Sequence, residues 1–258
     1  SIDLEDLKEK ISSKTKVVSI TGESNLSGLL PDIKLIRSLV KEHSDALFIL
    51  DGAQLVPHRK VDVQALGIDF IIFSGHKLLG PTGIGVVWGR LDLLNELEPV
   101  SGGGDMIESV SFEKSTWAKP PARFEAGTPA IIEAVGLHAA IDYVNAIGMP
   151  AIEAHERALV DHAMRKLSDV PGLTLLGRAQ DRGGVFAFAL DNAHPHDLST
   201  LLDRAGICIR AGRHCAEPLH TRFGLEQGTA RASFGLYTTP EEVDYLAGAL
   251  VKAREFFA

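Results

Sequence analysis

Two short, unbroken apolar runs, Leu47-Phe48-Ile49-Leu50 and Phe70-Ile71-Ile72-Phe73, constrain this chain most. A run with no polar alternation reads as a strand covered on both faces, the condition inside a parallel sheet. Ile84–Trp88 repeats that character, and Val17–Thr21 is β-rich. Helical stretches accompany these runs. Leu4, Leu7 and Ile11 recur at helical spacing over 3–11, and Ile33, Leu35, Ile36, Leu39 and Val40 form one side of a stretch opened by Pro31. Strands alternating with helices predict an α/β sheet. In such sheets, sites form beyond the carboxyl ends of the strands. The first run ends on Asp51, followed by Gly52-Ala53-Gln54. The second passes through Ser74-Gly75-His76 to Lys77, with Gly80-Pro81-Thr82-Gly83 behind.

The character changes along the chain. Residues 100–129 are rich in Gly, Pro, Ser and Thr and read as a long functional loop region. Residues 130–147 read as one helix, which Gly148-Met149-Pro150 ends. Beyond it the pattern predicts helix 151–168, strands near 173–176 and 184–190, helix 197–205, strands 207–210 and 230–234, and helix 240–256. This is a smaller α+β unit, so the expected division is 1–147 and 148–258.

The composition is that of an ordinary soluble globular protein, 45% hydrophobic and 23% charged. With a formal net charge of −8 and no basic stripe, nucleic acid is not an expected partner. No apolar run approaches the ~20 residues of a membrane span, so no membrane partner is expected. The first residues are acidic and resemble no signal peptide. Cys208 and Cys215 are the two cysteines, too few for a disulfide framework, and a reducing cytoplasm is the expected compartment. The ten histidines show no zinc spacing.

An acid at one strand end and a lysine in the turn after the next suit a pyridoxal phosphate enzyme. There a lysine holds the aldehyde as a Schiff base and an acid pairs with the pyridinium nitrogen. The lysine must lose its charge to attack, which partial burial favours. Taken singly, Asp51 and Lys77 read first as a strand-end acid and a solvated lysine; with Gln54, Ser74 and His76 they make a constellation. Ser24-Asn25 reads either as a turn or as a contact to the cofactor's ring oxygen or the substrate. Gln54 reads as a surface residue or as a second contact to that oxygen. Phe124-Glu125-Ala126-Gly127-Thr128-Pro129 offers N–H groups and a hydroxyl to a phosphate, or is only a turn. Cys215, beside Arg213 and His214, reads as a nucleophile with a depressed pKa or as a structural thiol. Cys208, inside Gly-Ile-Cys-Ile, reads as core. Arg210 and Arg231 are candidates for a bidentate grip on a carboxylate, or surface ion pairs.

Together these residues resemble the class V aminotransferase family of fold type I pyridoxal phosphate enzymes. The nearest branch is the SufS-type cysteine desulfurases and selenocysteine lyases. The marks are Asp51-Gly-Ala-Gln54, Ser74-Gly-His-Lys77-Leu-Leu-Gly-Pro-Thr-Gly-Ile-Gly, Gly102-Gly-Gly-Asp-Met-Ile107, Arg123-Phe-Glu-Ala-Gly-Thr-Pro129, Arg210-Ala-Gly-Arg-His-Cys-Ala216 and Ala230-Arg-Ala-Ser233. The resemblance implies a large cofactor-binding α/β domain, incomplete at its N-terminus, and a smaller α+β domain. It makes Lys77 the Schiff-base lysine and Asp51 the pyridinium partner. Gln54 and Asn25 lie at the phenolic oxygen; Ser74 and His76 hold the phosphate, with Thr128 of the opposite subunit of a homodimer. Arg210 and Arg231 hold the substrate carboxylate, and Cys215 attacks the substrate sulfur.

The reaction so implied converts L-cysteine to L-alanine and leaves a persulfide on Cys215. A SufE- or SufU-like acceptor then carries the sulfur to iron–sulfur cluster assembly. L-selenocysteine is the alternative substrate. Two positions depart from the family pattern: Gly22 and Arg213 stand where histidines are usual. Family members also carry a segment ahead of the equivalent of Ser1, with a phosphate-binding turn and a ring-stacking histidine. The resemblance therefore implies a fragment, and a non-catalytic fragment or scaffold is the remaining alternative.

Overall fold

The computed structural model describes residues 2–177 and 181–258. Helix α1 (Leu4–Lys10) leads to β1 (Val17–Thr21), α2 (Ile33–His43), β2 (Leu47–Asp51), α3 (Val63–Leu66), β3 (Phe70–Ser74) and β4 (Gly85–Gly89). The four strands form one sheet in the order β1-β2-β3-β4. The first three are parallel, Val17 opposite Leu47 and Ile49 opposite Phe70. Phe48 and Leu50 are fully buried, and Ile36 and Val40 of α2 pack in their cluster. Asp32 starts α2 by accepting the Leu35 N–H at 2.9 Å, satisfying one of the free amides of its first turn.

β4 corrects the sequence reading, which gives it the same parallel character. It runs antiparallel to β3, Phe70 opposite Gly89. The connection 75–84 is shorter than the dozen or so residues a parallel crossover needs, so the chain must turn back.

Asp69 pins this sheet together. Its carboxylate is buried and accepts the Phe48 N–H at 2.9 Å and Arg90 Nη1 at 2.9 Å, with Arg37 Nη2 of α2 at 3.6 Å. One side chain thereby ties α2, β2, the start of β3 and the end of β4.

α4 (Leu91–Glu96) is followed by the hairpin of β5 (Ile107–Val110) and β6 (Ser115–Trp117), then α5 (Ile131–Ile147) and α6 (Met149–Ser168). The hairpin lies inside the stretch read as loop. Every residue of β5 is exposed, so it carries no apolar alternation to announce it. Gly148, at φ 88°, joins α5 to α6 at a 76° bend. Among the described residues no single helix is long and apolar enough to cross a membrane.

The second sheet contains β7 (Leu173–Leu175), β8 (Val185–Leu190), β9 (Arg210–Gly212) and β10 (Thr229–Ser233), in the order β7-β8-β10-β9 and antiparallel throughout. α7 (Pro195–Arg204), α8 (Glu217–Arg222) and α9 (Pro240–Phe257) complete the chain. Phe186 and Phe188 are fully buried in a cluster with Leu159 and Leu167 of α6, Leu198 of α7 and Leu250 of α9. α9 opens on a capping box between Thr239 and Glu242. Two expectations are corrected here. The strand read at 207–210 lies at Arg210–Gly212, where pairing with Thr229–Arg231 fixes it. Cys208, read as core, is exposed, because Ile207 and Ile209 on either side of it turn toward the core.

Asp69→Ala leaves the Phe48 amide without its buried acceptor and takes one of two partners from each of Arg37 and Arg90. It should cost about 2–3 kcal/mol of stability, read as a lower midpoint in urea with an unchanged slope.

Candidate functional site

Because β2 and β3 are parallel, Asp51 and Ser74 leave the sheet on the same edge. Asp51 Oδ1 accepts the Ala53 N–H at 2.9 Å and opens the turn that carries Gln54. After Ser74 the chain enters a tight turn, Gly75–Leu78. Gly75 is required there, since a Cβ would lie 2.8 Å from Ile84 Cγ2. The turn closes when the Leu79 N–H donates to Gly75 O, with Leu79 at φ 60°. His76 and Lys77 stand out from it and are both exposed, which corrects the expectation of a partly buried lysine.

Gln54, His76 and Lys77 face a cavity of about 380 Å³ whose other wall includes Arg210 and Arg231. The cavity thus lies between the two sheets. Asn25, Asp51, Ser74, Thr128 and Cys215 are not among its walls. Thr128 is exposed, next to Gly127, whose N–H donates to Gly104 O at 2.9 Å. Asn25 Nδ2 donates instead to His214 O at 2.6 Å.

Arg210 and Arg231 are directly opposite each other in the β9–β10 ladder. Like charges in that position repel. Among the described residues neither has a carboxylate partner, and Arg231 Nε is buried with no hydrogen-bond partner. Burial, then the charge of Arg210, hold Arg231 below its ordinary pKa, with Cys215 acting in the opposite direction.

Cys215 is exposed and free, in a turn where both His214 (φ 49°) and Cys215 (φ 58°) are left-handed. The reading of His214 as an acidifying neighbour is corrected. Its ring is buried, with Nε2 3.0 Å from Thr229 O. Burial pushes it down to about 4; the Thr229 bond opposes this, while Arg231, His220 and Arg210 add to it. A carbonyl only accepts, so Nε2 carries the proton of a neutral ring. Arg213 is engaged by Glu217.

Sequence reasoning misses a second group behind the cavity. His58 and Glu156 line it, with His58 Nδ1 2.9 and 3.1 Å from the two Glu156 oxygens. Burial pulls His58 down, but the hydrogen bond and charge of Glu156 outweigh it and hold the imidazole above its ordinary value. Next to this pair Glu23 is buried, and among the described residues neither carboxyl oxygen has a partner. Its Oε1 would lie 2.1 Å from a Cβ at Gly183, so any larger residue there would have to displace the Glu23 carboxyl. No local pattern links positions so far apart in the chain.

Burial, partly offset by His58, Arg59 and Arg182 and reinforced by Glu156, pushes Glu23 up to about 7 from an ordinary 4.5. The folded state thus holds this proton more tightly than the unfolded chain. There is no penalty below pH 4.5, and it grows as pH rises toward 7 and is complete above. Glu23→Gln should match the parent near pH 4.5 and exceed it by on the order of 3 kcal/mol at pH 8, read from paired unfolding curves across that range.

The aminotransferase class-V family model matches residues 1–246. A probable cysteine desulfurase of Streptomyces coelicolor is 49% identical over 258 residues, covering 99% of this chain and 61% of that protein. One from Halalkalibacterium halodurans is 47% identical over 257 residues, covering 100% of this chain and 63% of that protein. The crystal structure of the cysteine desulfurase CsdA from Escherichia coli superposes with a TM-score of 0.93 at 38% identity, over 99% of this chain and 63% of that one. The chain thus spans about three fifths of the length of the curated relatives it matches. With its fold and its cavity between two sheets, this chain belongs to the class V aminotransferase family.

Proposed function

We propose that the protein is a pyridoxal phosphate-dependent cysteine desulfurase of the SufS type, converting L-cysteine to L-alanine. The observation that carries this reading is the pair Arg210 and Arg231, opposed and free of carboxylate partners among the described residues, on the same cavity as Lys77. Two cations held face to face call for an anion between them. The unsatisfied Arg231 Nε supports the same conclusion. The amine, amide, hydroxyl and guanidinium groups at this edge also suit a phosphorylated aldehyde.

When bound, pyridoxal phosphate supplies an electron-accepting ring. In this reading Lys77 holds its aldehyde, Asp51 its ring nitrogen, and Gln54 and Asn25 its phenolic oxygen. Ser74 and His76 hold the phosphate, with Thr128 of the opposite subunit. Arg210 and Arg231 grip the substrate carboxylate, and Lys77 moves the α-proton. The Cys215 thiolate attacks the substrate sulfur. A sulfur–sulfur bond forms as the Cβ–Sγ bond breaks, its electron pair stays on carbon, and a proton completes the methyl group of alanine.

The exposed turn of Cys215 suits transfer of the persulfide to a SufE- or SufU-like acceptor for iron–sulfur cluster assembly. A free thiol of this kind fits the reducing cytoplasm. Exposed Ile132, Val135 and Tyr143 on α5 support a homodimer. We assign residues 1–147 to the larger, cofactor-binding domain and 148–258 to the smaller one.

Two variants test this. Lys77→Ala should lose about 10²–10⁴-fold in turnover together with the visible absorbance of the cofactor-bound protein. Cys215→Ala should keep that absorbance and lose alanine formation from L-cysteine by at least about 10²-fold. Full cysteine turnover by Cys215→Ala would refute the persulfide role.

A further inference from the structure

Asn25 occupies an unusual place. It sits in the loop after β1, in the first sheet's half of the molecule, yet both of its strong contacts are to the second sheet's half. Its side-chain Nδ2 donates to the carbonyl of His214, 189 residues away, at 2.6 Å. Its own carbonyl accepts from Arg231 Nη1, 206 residues away, at 2.9 Å. One residue thereby touches both the turn that carries Cys215 and a wall of the cavity.

That turn needs holding. Consecutive non-glycine residues in the left-handed region are strained, because Cβ crowds the following carbonyl. Such a conformation persists only where the surroundings over-determine it. Two anchors meet at His214. Its buried ring is fixed through Nε2 to Thr229 O, and its carbonyl is fixed by Asn25. Thr229 lies two positions before Arg231 on β10, so both anchors run to the strand that presents the cavity arginine. The thiol itself is left exposed. The backbone is clamped while the side chain stays available.

We propose that Asn25 is a positioning residue for Cys215: it straps the left-handed His214–Cys215 turn to the loop after β1 and to Arg231. The thiol and the carboxylate grip are then held in one frame across the gap between the two sheets. The consequence for catalysis rests on the function proposed above, but the strap itself does not.

The test therefore reads the turn directly. Amide hydrogen exchange is measured on the full-length protein, carrying Cys208→Ser so that Cys215 is the one reactive thiol in its described part. Asn25→Asp is the primary variant, since it keeps the size and removes the N–H donor; Asn25→Ala is the second. Both should raise exchange of the Ala216 amide, which donates to Arg213 O at 2.8 Å across the turn, about tenfold while leaving β8 at the parent's rate. Alkylation of Cys215 by iodoacetamide should speed up several-fold at constant pH. Unchanged exchange and alkylation in both variants would overturn the strap, and so would an equal rise at Ala216 and in β8, which reports only general loosening. Loss of activity in Cys215→Ala tests the function separately, so failure of one idea leaves the other standing.

Discussion

The site depends on β2 and β3 running parallel. Each strand is apolar along its length, although only one face is fully buried in this chain, with Phe48, Leu50 and Ile71 inside and Ile72 exposed, and the polar groups appear where the strands end. In a parallel pair those ends lie on one edge. Asp51 and Ser74 therefore emerge side by side, and the turns behind them bring Gln54, His76 and Lys77 to one cavity. An antiparallel pairing of the same two strands would send the acid and the lysine to opposite edges. Asp69, at the other end of β3, holds the register on which this depends.

Electrostatics explain why the second sheet supplies only half a site. β10 and β9 place Arg231 against Arg210, and no side chain among the described residues neutralises either. The neighbouring imidazole does not add a third charge, because burial keeps His214 neutral. A charged His214 would keep and strengthen its bond to the Thr229 carbonyl, but burial and the repulsion of both arginines outweigh that gain. The region is thus positive enough to draw an anion, yet contains one cation fewer than the sequence suggests.

Much of this was legible in the sequence, and the failures have specific causes. The apolar runs at 47–50 and 70–73 announced β2 and β3, and the blocks around Lys77, Arg210 and Arg231 announced the cavity walls. The direction of β4 was misread because an apolar run says nothing about orientation; the shortness of 75–84 says it instead. Cys208 was misread because hydrophobic company was taken for burial, while alternation along Ile207-Cys208-Ile209 points it outward. The β5–β6 hairpin carries no pattern, since none of β5 is buried. His58, Glu156 and Glu23 come together only through the fold, and their pairings span the chain.

The costs in this structure gather around the same gap. An opposed arginine pair, two left-handed residues at about 1–3 kcal/mol each, and a buried carboxyl without a partner all destabilise the folded chain. Away from the gap, charges such as Asp69 are paired and helices such as α9 are capped. Left-handed Asp105 and Asn192 lie elsewhere, but a consecutive left-handed pair beside unpaired buried charge marks where the scaffold yields to function. The arginine cost is also one that a ligand removes: an anion between Arg210 and Arg231 turns a repulsion into two attractions. Binding there should stabilise the chain, since a ligand held only by the folded state shifts the folding equilibrium toward it. The left-handed turn gains nothing from such a ligand, which is why it needs an anchor of its own from across the gap.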